Sequence, residues 1–371
     1  MVNMNYSLND NEQKLFNLIK KNPFISQQEL ADEMDLSRPS VANLISGLVK
    51  KGYIHGKAYI VGDNEQIVCI GGANVDRKFY IKGKLQYGTS NPIRSVQSAG
   101  GVARNVAENL GRLGKNVSML TASGIDAEWN FIEEASSTYI NLSDVIPLVR
   151  ETTGSYSAVI DHSGELVLAL ADMDIYDAIT PEVLQPKLTK YAQAKCFVVD
   201  LNLPKETLAY IKQFALSRNI PLVFITVSAP KMDRLPKDLQ GLTWLITNCE
   251  ETASYFDMDI ENDEDWEKAV HKWLQLGIEN VVVTNGKNGA LIGNKEEGIH
   301  HIPALEVANV RDVTGAGDAF SAGVIYAWLE GKSLLYIAKT GAVNSAKTIQ
   351  TNYTVRQNLS PQQLTLDMEE L

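Results

Sequence analysis

The run Asp312-Val313-Thr314-Gly315-Ala316-Gly317-Asp318 combines two glycines, a hydroxyl and two carboxylates, and leads straight into the apolar, small-residue stretch Ala319–Leu329. Glycine opens backbone conformations closed to other residues, so successive N–H groups of Gly315, Ala316 and Gly317 can converge where the following helix also presents its positive end. An anion fits such a place. Asp318 adds a carboxylate that would repel a bare phosphate, so its chemical use there would be to accept a proton from an incoming hydroxyl. These types at this spacing point to phosphoryl transfer. The bland alternative is a glycine-rich helix start with Asp318 as a first-turn acid.

Four other stretches could serve the same chemistry. Gly71-Gly72-Ala73-Asn74-Val75-Asp76 follows an apolar strand, and Asn74 and Asp76 could hold sugar hydroxyls. Ala99-Gly100-Gly101-Val102-Ala103-Arg104-Asn105 sets two glycines before a helix, lets a substrate approach the backbone, and offers the donor and acceptor of Asn105 to a polyol, although this stretch and Gly71–Asp76 each also read as a plain turn with a helix cap. Asn248-Cys249-Glu250-Glu251 also follows a strand; its Asn248 and Glu251 suit Mg²⁺ held through water beside phosphates, and equally suit a helix N-cap with its capping Glu. Thr284-Asn285-Gly286-Lys287-Asn288-Gly289 reads as a turn beside a nucleotide, through Thr284, Gly286 and Gly289, or as a plain hairpin. Gly331-Lys332-Ser333 is not a phosphate-binding P-loop, because Tyr326 stands where its first glycine is required and a helix precedes it.

The elements that must position these groups fall into two parts, residues 1–62 and 63–371. In the first, Leu8–Asn22 has helical apolar spacing, Ser26-Gln27-Gln28-Glu29 fits a capping box opening a helix through Met34, and Ser37 starts a third helix whose buried face is Val41, Leu44, Ile45, Leu48 and Val49. Gly52–Val61 reads as a hairpin, where a wing would lie. The part resembles the winged helix-turn-helix domain of bacterial regulators. On that reading the exposed Arg38, Ser40, Asn43 and Ser46 reach operator DNA, and Lys50, Lys51 and Lys57 its backbone.

Beyond residue 62, short β-rich apolar runs alternate with amphipathic helices, which implies an α/β fold with a mostly parallel, doubly wound sheet. Expected strands are 67–71, 117–122, 196–201, 222–227, 244–247 and 281–284. Expected helices are 102–113, 181–191, 205–217, 265–276, 317–330 and 334–350. Segments 78–96 and 155–169 break the rhythm and suggest a small β lid or dimer-contact sheet.

Of 34 Lys/Arg and 45 Asp/Glu, the first 60 residues hold 7 and 6, so the head is near +1 and the remainder near −12, a poor surface for nucleic acid. No apolar run approaches the roughly 20 residues of a membrane span, and no signal sequence opens the chain, so a cytoplasmic protein without membrane contact is expected. Cys69, Cys196 and Cys249 and the five histidines lack metal-ligand spacing.

Asp312–Asp318, the segment from Ala99 to Gly124, and Asn248 to Glu251, in that arrangement, resemble the PfkB, or ribokinase-like, carbohydrate kinases. The resemblance covers residues 66–371. It implies ATP and Mg²⁺ as cofactors, Asp318 as catalytic base, the backbone of Gly315, Ala316 and Gly317 as anion hole, and Asn74, Asp76, Gly100, Gly101 and Asn105 toward the acceptor. Asn248, Glu251, Asp312 and Thr314 would face the ATP and Mg²⁺ phosphates. Val313 stands where many members have Ser or Thr, which leaves K⁺ dependence open. Thr89-Ser90-Asn91-Pro92, Glu108-Asn109-Leu110 and Asn352-Tyr353-Thr354 are similar to the pseudouridine-kinase branch, implying transfer of the γ-phosphoryl group to the primary hydroxyl of pseudouridine. The competing expectation is a transcription regulator whose kinase-like body only senses a sugar or nucleoside. A homodimer is expected in either case.

Overall fold

The computed structural model describes residues 8–22, 25–54 and 65–370. The chain divides into two compact units between Val61 and Gly62.

The N-terminal unit contains α1 (Asp10–Lys21), α2 (Gln27–Met34) and α3 (Arg38–Lys50). Each start is capped by a side chain that accepts an otherwise unpaired helix N–H: Asn9 and Ser26 form capping boxes with Glu12 and Glu29, and Ser37 caps α3. Leu15, Leu30, Val41, Ile45 and Leu48 form the small core. Val49, expected on the buried face, is 41% exposed, because each residue turns a helix by about 100° and the next position after Leu48 leaves the apolar stripe. Lys51 also departs from expectation, since its ammonium lies 2.6 Å from the nearly buried Glu12 carboxylate rather than free for a DNA backbone. Most of the expected wing, from residue 55 onward with Lys57, lies outside the described residues.

The C-terminal unit runs β1 (Ile67–Ile70), β2 (Asn74–Ile81), β3 (Ile93–Gly100), α4 (Val102–Arg112), β4 (Val117–Leu120), β5 (Ala122–Ser123), α5 (Ala127–Ser136), β6 (Ile146–Pro147), β7 (Ser155–Ile160), β8 (Leu166–Asp172), α6 (Pro181–Lys190), β9 (Cys196–Asp200) and α7 (Lys205–Leu216). It continues with β10 (Leu222–Ile225), β11 (Trp244–Asn248), α8 (Cys249–Phe256), α9 (Asp263–Gln275), β12 (Asn280–Thr284), β13 (Ala290–Asn294), β14 (Gly298–Ile302), α10 (Ala316–Leu329), α11 (Leu334–Thr348) and α12 (Pro361–Glu369). The main sheet has the order β14-β13-β12-β11-β10-β9-β1-β4. It is parallel from β4 to β12 and closes with an antiparallel β12-β13-β14 meander.

Alternation along its strands feeds two apolar layers. Val68, Ile70, Phe197 and Val199 pack with Leu184 of α6, Leu208 of α7 and Trp273 of α9. Ile67, Cys69, Cys196 and Val198 pack with Val106 of α4, Phe320 of α10 and Ile337 of α11. No helix among the described residues is long and apolar enough to cross a membrane.

The second sheet has the order β3-β2-β7-β8. It covers the irregular segments near 78–96 and 155–169, but its first strand begins at Asn74, so Asn74 and Asp76 belong to this small sheet. The short pair β5-β6, the helices α5 and α12 and the β13-β14 hairpin have no counterpart among the sequence expectations. Between β12 and β13, Asn285 N–H donates to Gly289 O at 2.7 Å, which makes residues 284–289 a hairpin turn.

Candidate active site

The carboxyl ends of parallel strands leave backbone and polar side chains facing one crevice. Here a cavity of about 150 Å³ opens where β10, β11 and β12 end against the start of α10. Thr226, Thr247, Asn248, Glu251, Thr284, Asp318 and Ser321 supply its polar lining, and Gly317 borders it as well. A larger open groove of about 880 Å³ along α7, between Lys205, Lys212 and Asp238, contains none of the residues singled out by sequence.

Gly315 caps α10 with φ +81°, and a Cβ there would strike the Thr354 carbonyl. Its glycine is therefore required by backbone conformation and by packing. Gly317 differs from the sequence expectation: it lies inside α10 without a positive φ, and a Cβ on it would meet nothing within 4 Å. Its small size leaves open space beside the first-turn N–H groups. Asp318, in that same turn, accepts a hydrogen bond from Asn105 Nδ2 at 2.7 Å. Burial raises its carboxyl to about 7; the Asn105 bond opposes that shift, while Asp76 and Asp200 add to it.

The orientation of Asn105 is set from behind. The buried Arg104 donates to Asn105 Oδ1 at 3.0 Å, which leaves Nδ2 toward Asp318, and Arg104 is itself paired with buried Glu108. On the opposite side Asn74 Nδ2 donates to Asp76 Oδ1 at 2.6 Å, and burial raises the Asp76 carboxyl to about 6. Gly100 and Gly101 were expected to let a substrate reach the backbone. Instead a Cβ on Gly100 would strike the Asp76 carboxylate, and one on Gly101, at φ +99°, the Gly72 carbonyl. These glycines let two protein turns touch.

Glu251 forms the capping box with Asn248 and also accepts from the hydroxyls of Thr226 and Thr247. Burial raises its carboxyl despite those bonds. Asn248 and Glu251 are thus a helix cap whose members also line the cavity. Thr284 lines it too, whereas Gly286 and Gly289 form the hairpin bend. Asp312 Oδ1 accepts the Thr314 N–H at 2.9 Å and steadies the turn before Gly315.

Sequence reasoning missed Asp200, at the carboxyl end of β9. Its carboxylate accepts the N–H groups of Gly72 at 2.9 Å, Ala103 at 3.0 Å and Asn202 at 2.9 Å, fastening both glycine turns to the main sheet. A carboxylate ending an otherwise apolar strand was the available signal. Tyr176 was missed as well; its hydroxyl exchanges hydrogen bonds with the backbone of Ala73. Thr354 Oγ1 donates to Ala99 O at 2.9 Å, bringing the 352–354 segment between the glycine turn and the Gly315 turn.

The model of the pfkB family of carbohydrate kinases matches residues 64–360. This chain belongs to that family. It is a sugar or nucleoside kinase, a phosphotransferase, and its kinase unit has the ribokinase-like fold. A winged helix-turn-helix DNA-binding model matches residues 8–55. An uncharacterised sugar kinase of Escherichia coli K12, YeiI, is 30% identical over 327 residues, covering 88% of this chain and 90% of its own. The pseudouridine kinase of the same organism is 31% identical over 301 residues, 80% of this chain and 95% of its own. Arabidopsis thaliana ribokinase, solved with ribose and ATP, superposes with a TM-score of 0.72 over 82% of this chain and 98% of its own; at 20% identity that likeness concerns the fold.

Proposed function

We propose that the protein transfers the γ-phosphoryl group of ATP to the primary hydroxyl of a nucleoside or sugar, with pseudouridine as preferred acceptor. The observation that carries this reading is the carboxylate of Asp318, held by Asn105 beside the open face of Gly317 at a helix N-terminus. Asp318 takes the hydroxyl proton as the new O–P bond forms and the bond to the β-phosphate oxygen breaks, releasing ADP. The N–H groups of Gly315 and Gly317 face the transferring phosphoryl oxygens, whereas that of Ala316, expected to join them, is taken by Val313 O at 3.2 Å. Asn74, Asp76 and Asn105 bind the acceptor hydroxyls.

Asn248, Glu251, Thr284, Asp312 and Thr314 lie toward the nucleotide phosphates. Among the described residues no three His, Cys, Asp or Glu side chains form a metal-binding group, whereas Glu251 and Asn248 line the cavity together. That donor set suits Mg²⁺ carried mainly by phosphate oxygens and water. When bound, Mg²⁺ supplies neutralisation of the phosphate charge.

The test is ADP release from Mg-ATP with pseudouridine, uridine, adenosine, ribose and fructose 6-phosphate. Pseudouridine should give the highest kcat/KM. Another acceptor favoured at least tenfold, about 1.4 kcal/mol in transition-state binding, would reject the pseudouridine assignment.

The helix-turn-helix match supports a second activity in the same chain. Arg38, Asn43 and Ser46 are exposed on α3, as an operator-DNA contact requires, whereas Ser40, expected to be exposed with them, is half-buried and its hydroxyl shares a hydrogen bond with that of Ser37. Sequence-preferring binding that weakens steeply with salt is expected from the full chain, and its absence at low salt would leave the head as a protein-contact module. A homodimer through the small sheet is supported by Leu166, Leu168 and Leu170 of edge strand β8, each at least half exposed.

A further inference from the structure

The small sheet sends a charged side chain into the phosphate turn. Side chains alternate along a strand, so Asn74, Asp76 and Lys78 share one face of β2, spaced roughly 7 Å apart. Asn74 and Asp76 stand at the acceptor end of that face. Two residues on, Lys78 Nζ lies 2.5 Å from Asp312 Oδ2 and 2.7 Å from Thr314 Oγ1. Asp312 in turn holds the Thr314 N–H, directly before Gly315.

Resting on the kinase reading above, we propose that Lys78 is a positioning residue for phosphoryl transfer, a built-in cation that fixes the Asp312–Asp318 turn and neutralises its outer carboxylate. The pair is largely shielded, with side-chain exposures of 17% for Lys78 and 22% for Asp312. Partial burial would raise the Asp312 carboxyl, but the ammonium and Thr314 bring it below its ordinary value. Removing the ammonium would leave an uncompensated, poorly solvated anion next to the turn that must receive a phosphate. An ammonium has three donors, and among the described residues Asp312 and Thr314 take two of them, which leaves one for an anionic oxygen. Because β2 also carries Asp76, a single strand gauges the distance between acceptor and phosphate turn.

The experiment compares Lys78→Ala, Lys78→Met and Lys78→Arg with the wild type, using Mg-ATP and the best wild-type acceptor. Lys78→Ala should lower kcat about 10- to 100-fold, the scale of a small misplacement of reacting groups, and leave acceptor KM within about twofold. Ethylammonium should restore part of that loss, and Lys78→Arg should retain more activity than the isosteric but neutral Lys78→Met. Amide hydrogen exchange over residues 310–320 supplies a readout independent of turnover: Lys78→Ala and Lys78→Met should exchange faster there, and ethylammonium should slow the alanine variant. Wild-type kcat in both neutral variants, or unchanged exchange, overturns the proposal. So does a loss confined to acceptor KM, which would make Lys78 an acceptor contact. A wild type that releases no ADP with any acceptor sinks the kinase reading, while the exchange measurement still decides whether Lys78 holds the turn.

Discussion

Strands β9 and β8 are both short and mostly apolar, Cys-Phe-Val-Val-Asp and Leu-Val-Leu-Ala-Leu-Ala-Asp, yet every residue of β9 is buried and every residue of β8 is exposed. The difference is position. β9 lies between β1 and β10 with helices over both faces, whereas β8 is the edge of a four-stranded sheet. Strands of the first kind are packed on both faces, so their carboxyl ends hold Asp200 and Asn248 in fixed places, and Asn248 in turn caps the helix that carries Glu251. Strands of the second kind keep an open edge and exposed side chains, while β2, interior to the same small sheet, supplies Asp76 and Lys78. The site is assembled where the main sheet meets the small one.

The strongest test at the meeting point of the two sheets is Asp318→Asn, which keeps the shape and the Asn105 neighbourhood but removes the base. Its kcat should fall roughly 10²–10⁴-fold with acceptor Kd close to wild type. Near-wild-type turnover would reduce Asp318 to a helix-start acid. In the wild type, kcat/KM should decline as pH drops through about 7, because the protonated carboxyl cannot accept a further proton, and the variant should lack that limb.

Stability should move in the opposite sense to activity. The folded Asp318 carboxyl is raised above its ordinary 3.8, so between those values the folded state binds more protons than the unfolded one, and stability contributed by this group is lost as pH rises through about 7. Asp318→Asn should therefore raise Tm above pH 7, with the gain fading toward pH 4. A variant Tm at or below wild type at pH 8 would contradict that linkage.

The contrast between the sheets has its own test in paired truncations. Phe224→Ala, in fully buried β10, should cost about 3–5 kcal/mol in denaturant unfolding through the cavity it leaves. Leu168→Ala, half exposed on β8, should stay within about 0.5 kcal/mol at protein concentrations where the chain is monomeric. Equal costs would mean that β8 is covered in solution even in the monomer.

Much of this molecule was legible in the sequence because the signals are local. The parallel strands of the main sheet announce themselves as apolar runs, Ser26 and Glu29 cap as their spacing demands, and Asp312–Asp318 carries its turn, its helix start and its acid within seven residues. The sequence by itself therefore determined the α/β architecture of the kinase unit, the helix-turn-helix order of the head and the place of the candidate phosphate turn. The tertiary structure decided which glycines face space and which face protein: Gly317 opens onto the cavity, whereas Gly100 and Gly101 are pressed against Asp76 and Gly72. It also decided the partners of two polar side chains, since Asn105 reaches Asp318 across 213 residues and Lys78 reaches Asp312 across 234. Such contacts have no periodicity to read, because they depend on where separate strands and helices end in space, and only the folded chain brings those ends together.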